Sequence, residues 1–335
     1  MDQREKQREV KVLQSILNMY RITAVSIASP MKGYRNSCFR VHDSEGQVYN
    51  LMLYKPEDDI VAKIKNGNRL GVYLWEKGLP VRCPVSSGSR SIVQATVQDK
   101  KYYACLYNFL PGSTVPWEGF ASKHIKLTGG MMGTMHKKLR HVEQKGLPDA
   151  LTELQELHQR MKTYFERSDV RRAMAAKLKL RLRLAKMLEY YNLFIELKQE
   201  PKQAIHLDFV RGNILFDTKQ SLIVSGIIDF EKAAWGPRIL DIARTLAFLL
   251  VDCKYQRSAK IQQYFLRNGY QKRGENPLPD VQYLAQLIDF FWLHDFYKFL
   301  RHNPFEFLYM NEHYTRTEKI LLERCILATN KIYYE

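Results

Sequence analysis

The chain has 335 residues, of which 45% are hydrophobic and 26% are charged, and its formal net charge is +17. These fractions are ordinary for a globular protein and argue against a disordered chain. No apolar stretch reaches the roughly 18 residues of a membrane-spanning helix, and the charged N-terminus leads into no apolar segment, so we expect neither a membrane span nor a secretory signal. The five cysteines are odd in number and lack C-x-x-C spacing, which favours reduced thiols in a cytoplasmic protein.

The first third of the chain predicts an antiparallel sheet with one long helix inserted. Alternating apolar residues and turn signals such as Asp43-Ser44-Glu45-Gly46 indicate the strands, and apolar residues at helical spacing indicate the helices. We predict helices over 3–20 and 59–77, and strands over 24–28, 37–42, 47–54, 91–98 and 101–109. The run Leu110-Pro111-Gly112 then breaks the pattern.

The rest of the chain is predicted to be mostly helical. We predict helices over 120–142, 152–165, 171–197 and from 240 to the end, with short strands over 214–216 and 223–228. Residues 177–184 alternate basic residues with leucine, which is a strand period, but no β-branched residue occurs among them, so we predict helix there. The fold is therefore predicted to be α+β with two domains, 1–110 and 111–335.

A polar pattern in the C-terminal part indicates the chemistry. His206 and Asp208 precede Asn213, and Asp229 follows an apolar strand. Phosphoryl transfer from ATP needs a carboxylate that takes the proton of the substrate hydroxyl, and hard oxygen ligands that hold Mg2+ against the phosphates. Asp208 fits the base, and Asn213 and Asp229 fit the metal ligands. The joint spacing favours this interpretation over two turn aspartates beside a hairpin.

The segment from His206 to Asp229 resembles the catalytic loop and Ile-Asp-Phe strand of the aminoglycoside phosphotransferase and choline kinase-like superfamily. The continuation from Gly236-Pro237 to Asp241 is also similar. The resemblance implies a two-lobed protein-kinase-like fold, in which a five-stranded antiparallel sheet and one helix bind ATP and a mostly helical C-terminal lobe carries the catalytic residues and the substrate. It also implies that Asp241 braces the catalytic loop.

Three further motifs resemble the ATP-binding parts of this family. The run from position 33 to 41 is similar to the phosphate-loop hairpin, the lysine that ends the third strand matches the one that contacts ATP phosphates, and residues 108–112 look like the interlobe hinge, whose backbone would hold the adenine. The ATP-binding residues that this resemblance implies are Gly33, Asn36, Lys55, Asn108, Phe109 and Leu110.

Two features depart from the family pattern. The long helix lacks the glutamate that usually pairs with the strand lysine, and Asn66 and Asn68 occupy the expected region. Lys55 is then expected to pair with Asp229, with Asp59, or with the nucleotide alone. The phosphate loop also contains a single glycine, so fewer backbone amides can approach the phosphates.

Four other polar residues have open roles. Arg211 either meets the transferred phosphate or an anionic substrate, or is a surface arginine; we include it among the catalytic candidates. His206 is predicted to fix the loop by hydrogen bonds, and His136 is predicted to be a helix-packing histidine. Glu231 is predicted to cap a helix or lie at the surface, with metal or substrate binding as the alternative.

The sequence therefore predicts transfer of the γ-phosphate of ATP to a hydroxyl of a small molecule, with Mg2+ as cofactor. The two departures keep a catalytically silent kinase-fold binding or scaffold protein as the first alternative, and a protein kinase as a further one. A nucleic-acid role rests on charge alone, and the basic residues are spread along the chain, so we expect no specific nucleic acid. We expect a neutral or anionic metabolite, sugar or lipid headgroup as acceptor. The choice between ATP and GTP and the oligomeric state are left open.

Overall fold

A computed structural model describes the chain over residues 3–29, 31–32, 36–86, 91–97, 100–178, 184, 193–217, 219, 222–274 and 283–332. The chain forms two compact units. Unit 1 comprises Met1–Ser113 and Asn213–Lys232, and unit 2 comprises Thr114–Gly212 and Ala233–Glu335. The segment Asn213–Lys232 thus groups with the N-terminal residues, although it lies within the range predicted for the C-terminal domain.

Unit 1 contains a six-stranded antiparallel sheet. Its strands are β1 (Ala24–Ile27), β2 (Met31–Lys32), β3 (Ser37–Asp43), β4 (Val48–Tyr54), β5 (Val93–Val97) and β6 (Lys100–Asn108). They lie in the order β1-β3-β4-β6-β5, and β2 pairs with β3. The predicted five-stranded antiparallel sheet is confirmed; the two residues of β2 are too few for an alternating pattern to indicate them.

Alternate residues of the central strands face two different helices. Helix α1 (Gln3–Met19) packs its apolar stripe into a cluster that includes Leu53 of β4 and Ala104 of β6. Helix α2 (Ile60–Glu76) packs against Tyr54 and Cys105, the next residue on each strand. Because successive side chains of a strand point to opposite faces, one run of sequence serves both cores.

The second segment of unit 1 is a hairpin of β8 (Ile214–Asp217) and β9 (Ile223–Ile227), two antiparallel strands. The backbone N–H and carbonyl of Ser113 both bond to Phe216, at 3.1 and 2.9 Å. Gly112 has φ 97°, and a Cβ there would lie 2.3 Å from the Ser225 hydroxyl oxygen. The break at Pro111-Gly112 therefore lets the chain leave the sheet and pass close to this hairpin.

Unit 2 is mostly helical, as predicted. Its helices are α3 (Ser122–Leu139), α4 (Ala150–Glu166), α5 (Ser168–Lys177), α6 (Leu193–Glu196), α7 (Arg238–Asp252), α8 (Ser258–Gln262), α9 (Gln271–Gly274), α10 (Leu284–His302) and α11 (Glu312–Ile332). A π-helical stretch, Gln263–Tyr270, joins α8 to α9.

Two short strands of unit 2 were not predicted. Strand β7 (Lys202–Ile205) pairs antiparallel with β10 (Ala234–Pro237). Each has four residues, and β10 ends in Gly236-Pro237, a pair that normally argues against a strand. Their pairing positions the chain for the site, because β7 runs directly into His206 and β10 runs directly into α7.

The predicted helix over 171–197 lies only partly within the described residues. Helix α5 ends at Lys177, and α6 begins at Leu193. The alternating basic and leucine run lies mainly outside the described residues, so its helical structure stays a prediction. None of the helices in the described ranges is long and apolar enough to cross a membrane.

Candidate active site

One buried carboxylate, that of Asp241, holds the loop from His206 to Asp208. Leu207 has φ 54°, in the left-handed region that residues other than glycine rarely adopt. Asp241 accepts hydrogen bonds from the backbone N–H of His206 at 2.7 Å and of Leu207 at 2.8 Å. These two bonds offset the strain at Leu207, and they confirm the predicted bracing role of Asp241.

His136 holds Asp241 from the other side. Its Nε2 lies 3.0 Å from Asp241 Oδ2, and its Nδ1 lies 2.9 Å from the Tyr270 hydroxyl. Burial alone would raise the pKa of Asp241, but the interactions with His136 and His206 hold that pKa below its usual range. The predicted packing role of His136 is confirmed, since the residue is fully buried and its ring contacts that of Tyr270. The ring also connects α3 to the carboxylate that braces the loop.

Asp208 is almost fully buried at the end of this loop. Its backbone N–H donates to His206 Nδ1 at 3.2 Å, which confirms the predicted structural role of His206. Its carbonyl accepts a hydrogen bond from the backbone N–H of Val210 at 2.7 Å. Arg244 of α7 lies beside the carboxylate, with its Nη2 3.9 Å from Asp208 Oδ1. The candidate base is thus fixed at its backbone and has a cation beside its carboxylate.

Arg244 is itself buried between two carboxylates. Its Nη1 lies 3.8 Å from Asp295 Oδ1, while its Nη2 faces Asp208. The guanidinium also stacks on the rings of Phe248 and Phe291, at 4.9 and 5.3 Å from their centres. These aromatic contacts fix the plane of the guanidinium and so its position between the two acids.

His313 of α11 bridges two further carboxylates. Its Nδ1 lies 2.8 Å from Asp252 Oδ1 and its Nε2 lies 3.5 Å from Asp295 Oδ2. Burial alone would lower the pKa of His313, but the hydrogen bonds to both carboxylates raise it to about 9, so the ring is cationic at neutral pH. For Asp252 and Asp295, burial alone would raise the pKa, but His313 above all holds it below its usual range.

Arg211, the second catalytic candidate, contacts the same group of residues. Its Nε lies 3.1 Å from Asp252 Oδ2, and its Nη1 donates to the Val115 carbonyl at 2.7 Å. It is therefore tied into unit 2 rather than solvated at the surface, and its contact with a phosphate stays a prediction. Three acids and three cations balance here, and we call these six residues the unit 2 charge cluster: Asp208, Arg211, Arg244, Asp252, Asp295 and His313.

In unit 1, the two candidate metal ligands flank one end of the β8–β9 hairpin. Asn213 directly precedes β8, and the backbone N–H of Ile228, just after β9, donates to the Asn213 carbonyl at 3.0 Å. Asp229 follows with φ 73°, and its side chain is 43% exposed. The hydrogen bond between Ile228 and Asn213 extends the pairing of β8 and β9 by one step, to the end of the hairpin that Asn213 and Asp229 flank.

A buried ion pair lies two residues beyond Asp229. Glu231 accepts hydrogen bonds from the Arg82 guanidinium and the Tyr54 hydroxyl, and Arg82 Nη1 lies 4.0 Å from Asp229 Oδ1. Burial alone would raise the pKa of Glu231, but the charge of Arg82 above all holds it well below its usual range. The prediction that Glu231 caps a helix or lies at the surface was wrong, because its carboxylate turns inward to an arginine distant in sequence.

The candidate phosphate contacts of unit 1 are only partly described. Lys55 is exposed, and within the described ranges no ion pair joins it to Asp229 or Asp59. Its backbone N–H donates to Asn36 Oδ1 at 3.4 Å. Gly33 lies outside the described residues. The roles of these residues toward ATP stay predictions.

The candidate hinge residues lie at the end of β6. Asn108 exchanges two hydrogen bonds with Cys83, whose backbone N–H donates to Asn108 Oδ1 at 2.7 Å and whose carbonyl accepts from the Asn108 N–H at 3.0 Å. The guanidinium of Arg40 lies over the Phe109 ring, 4.8 Å from its centre, and Leu110 is buried. The side chain and the backbone N–H of Asn108 are thus both engaged internally, and the adenine contact of residues 108–110 stays a prediction.

Comparison with known sequences decides the family. The sequence model of the phosphotransferase enzyme family matches residues 27–275, about three quarters of the chain. That range includes Asp208, Asn213 and Asp229. The chain belongs to the phosphotransferase enzyme family. The family inferred from the resemblance is thereby confirmed.

Solved structures of several kinases share the fold of this chain. An amicoumacin kinase solved with AMP-PNP, Ca2+ and Ami superposes with a TM-score of 0.65 at 16% identity, covering 95% of this chain and 96% of that one. A microcompartment-associated aminopropanol kinase gives 0.64 at 14% identity, covering 97% and 98%. An aminoglycoside 2'-phosphotransferase in its GDP complex gives 0.57 at 16%, covering 94% and 96%. These likenesses confirm the predicted fold class.

One curated relative matches part of the phosphotransferase. It is a homoserine kinase of Zymomonas mobilis, 28% identical over 149 residues. The match covers 44% of this chain and 43% of the relative, so it spans less than half of either protein.

Sequence reasoning missed most of the polar residues beside the candidate base in unit 2 and beside the candidate metal ligands in unit 1. One signal was available: Asp241 and Arg244 are three residues apart and therefore share a face of α7. The other missed residues carry no local pattern, since their partners are distant in sequence. The missed residues are Tyr54, Arg82, Arg244, Asp252, Asp295 and His313.

Proposed function

We propose that this protein transfers the γ-phosphate of ATP to a hydroxyl of a small molecule, with Asp208 as the base and Asn213 and Asp229 as ligands of Mg2+. The observation that carries the proposal is the hydrogen bond from Ile228 to Asn213. It keeps two oxygen-bearing side chains together at the end of one hairpin, and Asn213 follows the candidate base by five residues. Family membership and the kinase relatives support the same reaction.

The residues present fit a magnesium ion. Mg2+ prefers hard oxygen ligands, and it usually takes one or two protein carboxylates with phosphate and water oxygens completing the octahedron. Asn213 and Asp229 supply one amide and one carboxylate oxygen. Within the described ranges, no group of three or more His, Cys, Asp and Glu residues forms a metal site of its own. When bound, the ion neutralises charge on the phosphates.

The proposed base works through position and charge. In the reaction, the acceptor hydroxyl gives its proton to the Asp208 carboxylate, its oxygen bonds to the γ-phosphorus, and the bond to the bridging oxygen breaks with ADP as the leaving group. Asp241 fixes the backbone that carries Asp208. Arg244 offsets the cost of a buried carboxylate charge. Most of the rate enhancement then comes from orientation and charge neutralisation.

The charge cluster bears on the acceptor. A polycationic acceptor needs carboxylates that lack an internal counter-ion, but the acids beside Asp208 are already paired with Arg211, Arg244 and His313. We therefore favour an acceptor of low positive charge, such as an alcohol of an amino acid, a sugar or a lipid headgroup. The homoserine kinase and aminopropanol kinase among the relatives act on molecules of this size.

The first test is nucleotide binding. We would record thermal unfolding of wild type, Asp229→Asn and Asp217→Asn with ATP, GTP and ADP, each with and without magnesium. Asp217 is a matched control on the same hairpin, and it accepts a hydrogen bond only from the neighbouring Lys219 among the contacts described for its side chain. A ligand that binds only the folded state raises the midpoint. We expect a magnesium-dependent rise in wild type and Asp217→Asn, weakened in Asp229→Asn.

The second test is transfer. Wild type, Asp208→Ala and the exposed control Asp169→Ala would be assayed for ADP release with homoserine, aminopropanol, kanamycin and a set of neutral and anionic sugars. We expect Asp208→Ala to lose turnover and keep nucleotide binding. Equal turnover in Asp208→Ala would refute the mechanism, and nucleotide binding without turnover on any acceptor would favour the silent binding protein.

A further inference from the structure

Arg82 is a charged residue in the interior of unit 1. Its side chain is 9% exposed, and that of its partner Glu231 is 13% exposed. A buried charge is costly unless it is paired and hydrogen-bonded. Arg82 meets this condition through Glu231, and its guanidinium also lies 4.4 Å from the centre of the Tyr107 ring. Its remaining close carboxylate is Asp229, at 4.0 Å.

A chain of hydrogen bonds connects this ion pair to α2. The Tyr54 hydroxyl donates to Glu231 and lies 3.0 Å from the Tyr107 hydroxyl, which in turn donates to Asn68 Oδ1 at 2.9 Å. Asn68 lies on α2 in the region where a glutamate was expected to pair with the strand lysine. Two tyrosines thus join Asn68 of α2 to Glu231, and the cation of this network is Arg82.

The backbone around Arg82 is locked as well. Its N–H donates to the Ile227 carbonyl of β9 at 2.8 Å. A Cβ at Gly71 of α2 would lie 2.4 Å from the Arg82 carbonyl oxygen, and a Cβ at Gly67 would lie 3.2 Å from the Phe230 carbonyl oxygen. Helix α2 therefore packs closely against the backbone of Arg82 and of Phe230, the residue after Asp229, and side-chain atoms at these two glycines would push the helix away.

Lys55, the strand lysine whose expected partner was a glutamate of α2, differs from Arg82 in its placement. Lys55 is exposed, whereas Arg82 is buried with its guanidinium facing Asp229. Asp229 has φ 73°, a conformation that persists in a non-glycine residue only when its surroundings hold it. Arg82 lies within ion-pair range of the Asp229 carboxylate, at 4.0 Å, and is hydrogen-bonded to Glu231, two residues further along the chain.

We propose that Arg82 is the positioning residue that orients Asp229 toward the divalent cation, in place of the expected pair of strand lysine and helix glutamate. This inference rests on the proposed function, in which Asp229 is a metal ligand. Arg82 does not touch the metal in this account. It fixes the carboxylate of Asp229 from one side, while Glu231 and Tyr54 fix Arg82.

The test separates orientation of Asp229 from simple neutralisation of Glu231. The full chain would be prepared as wild type, Arg82→Lys, Arg82→Met and the double variant Arg82→Met/Glu231→Gln, in which both members of the pair lose their charge and Gln can still accept from Tyr54. Lys77→Met, which removes an exposed cation at the end of α2, is the control. Circular dichroism and thermal unfolding select the variants that are folded.

The readout is the dissociation constant of a fluorescent ADP analogue measured with excess EDTA, divided by the constant measured with excess magnesium. A variant that only loosens unit 1 changes both constants together, whereas loss of Asp229 orientation changes the ratio. We expect the ratio to fall about tenfold or more in the double variant, and in Arg82→Met where it is folded, with a smaller fall in Arg82→Lys. Lys77→Met keeps the wild-type ratio.

The outcomes are distinguishable. A wild-type ratio in the double variant means that Arg82 serves only to neutralise Glu231, and it overturns this inference while the proposed function stands. An equal fall in Lys77→Met overturns it too, because a general loss of positive charge then explains the effect. Absence of any magnesium effect in wild type overturns the proposed function and this inference with it.

Discussion

The guanidinium of Arg244 lies 3.9 Å from the carboxylate of Asp208, and both side chains are almost entirely buried. The same guanidinium lies 3.8 Å from Asp295. One cation therefore separates two carboxylates that would otherwise repel each other, and one of them is the candidate base. Because α7 also carries Asp241, a single helix holds both the backbone and the charge of Asp208.

We predict that Arg244→Met destabilises the fold by about 3 kcal/mol, since removing one partner leaves buried charges uncompensated. Asp295→Asn in the Arg244→Met background should recover part of this loss, because it removes one of the two acids. Arg301→Met, at an exposed arginine of α10 that bonds to Tyr297, should cost less than about 1 kcal/mol. Urea unfolding of the four proteins measures these differences. An equal cost at Arg301 would contradict the argument.

We expect two Asp→Asn changes to differ greatly in their cost to stability. Asp241→Asn turns one backbone acceptor into an amide donor that faces an N–H group, and we expect a loss of about 2 to 4 kcal/mol together with weaker catalysis. Asp149 caps α4 by accepting from the Thr152 N–H at 2.9 Å, and Asn is as good a cap, so Asp149→Asn should cost less than about 1 kcal/mol. Urea unfolding again gives the comparison, and similar losses for both would count against the bracing role.

The hairpin and its flanking residues could be predicted because their signals are local. Two short apolar strands, with Asn213 before the first and Asp229 after the second, lie within a few residues of one another in sequence. The strands of unit 1 were predicted for the same reason, since alternation is visible in seven residues of β3 or β4. The four residues of β7 and β10 are too few.

The charged residues around the site could not be predicted, because each pair joins distant parts of the chain. Tyr54 and Glu231 are 177 positions apart, and Arg82 and Glu231 are 149 apart. Nothing next to Arg82 in sequence shows that it is buried. Arg82 becomes a buried ion-pair partner only through the packing of α2 against the backbone of Arg82 and Phe230, which is a tertiary property.

Gly71→Ala tests that packing directly. Alanine favours a helix over glycine by about 1 kcal/mol, but its Cβ would lie 2.4 Å from the Arg82 carbonyl oxygen, a backbone atom that cannot rotate away. We expect the clash to dominate and the variant to be about 1 to 3 kcal/mol less stable than wild type. Val72→Ala, the next and partly exposed residue of α2, is the control and should change stability by less than about 1 kcal/mol. A more stable Gly71→Ala protein would show that α2 can move away from Arg82.

His313 predicts a specific dependence of stability on pH. Its pKa in the folded protein is about 9, above the unfolded value near 6.5, because Asp252 and Asp295 favour the protonated ring. The resulting stabilisation is complete below about pH 6.5 and is lost as the pH rises through 9, with a total of up to about 3 kcal/mol.

We would measure urea unfolding at pH 6.5, 8 and 9.5 for wild type, His313→Gln and His302→Gln, the last an exposed histidine near the end of α10. The gap in stability between wild type and His313→Gln should be largest at pH 6.5 and shrink toward pH 9.5, because only the wild-type ring gives up a stabilising proton over that range. Lysine, tyrosine and cysteine titrate in all three proteins and cancel in the comparison. His302→Gln should follow wild type throughout. A gap that stays constant with pH would mean that His313 is neutral in the folded protein, and the charge balance of the unit 2 charge cluster would then be one cation short.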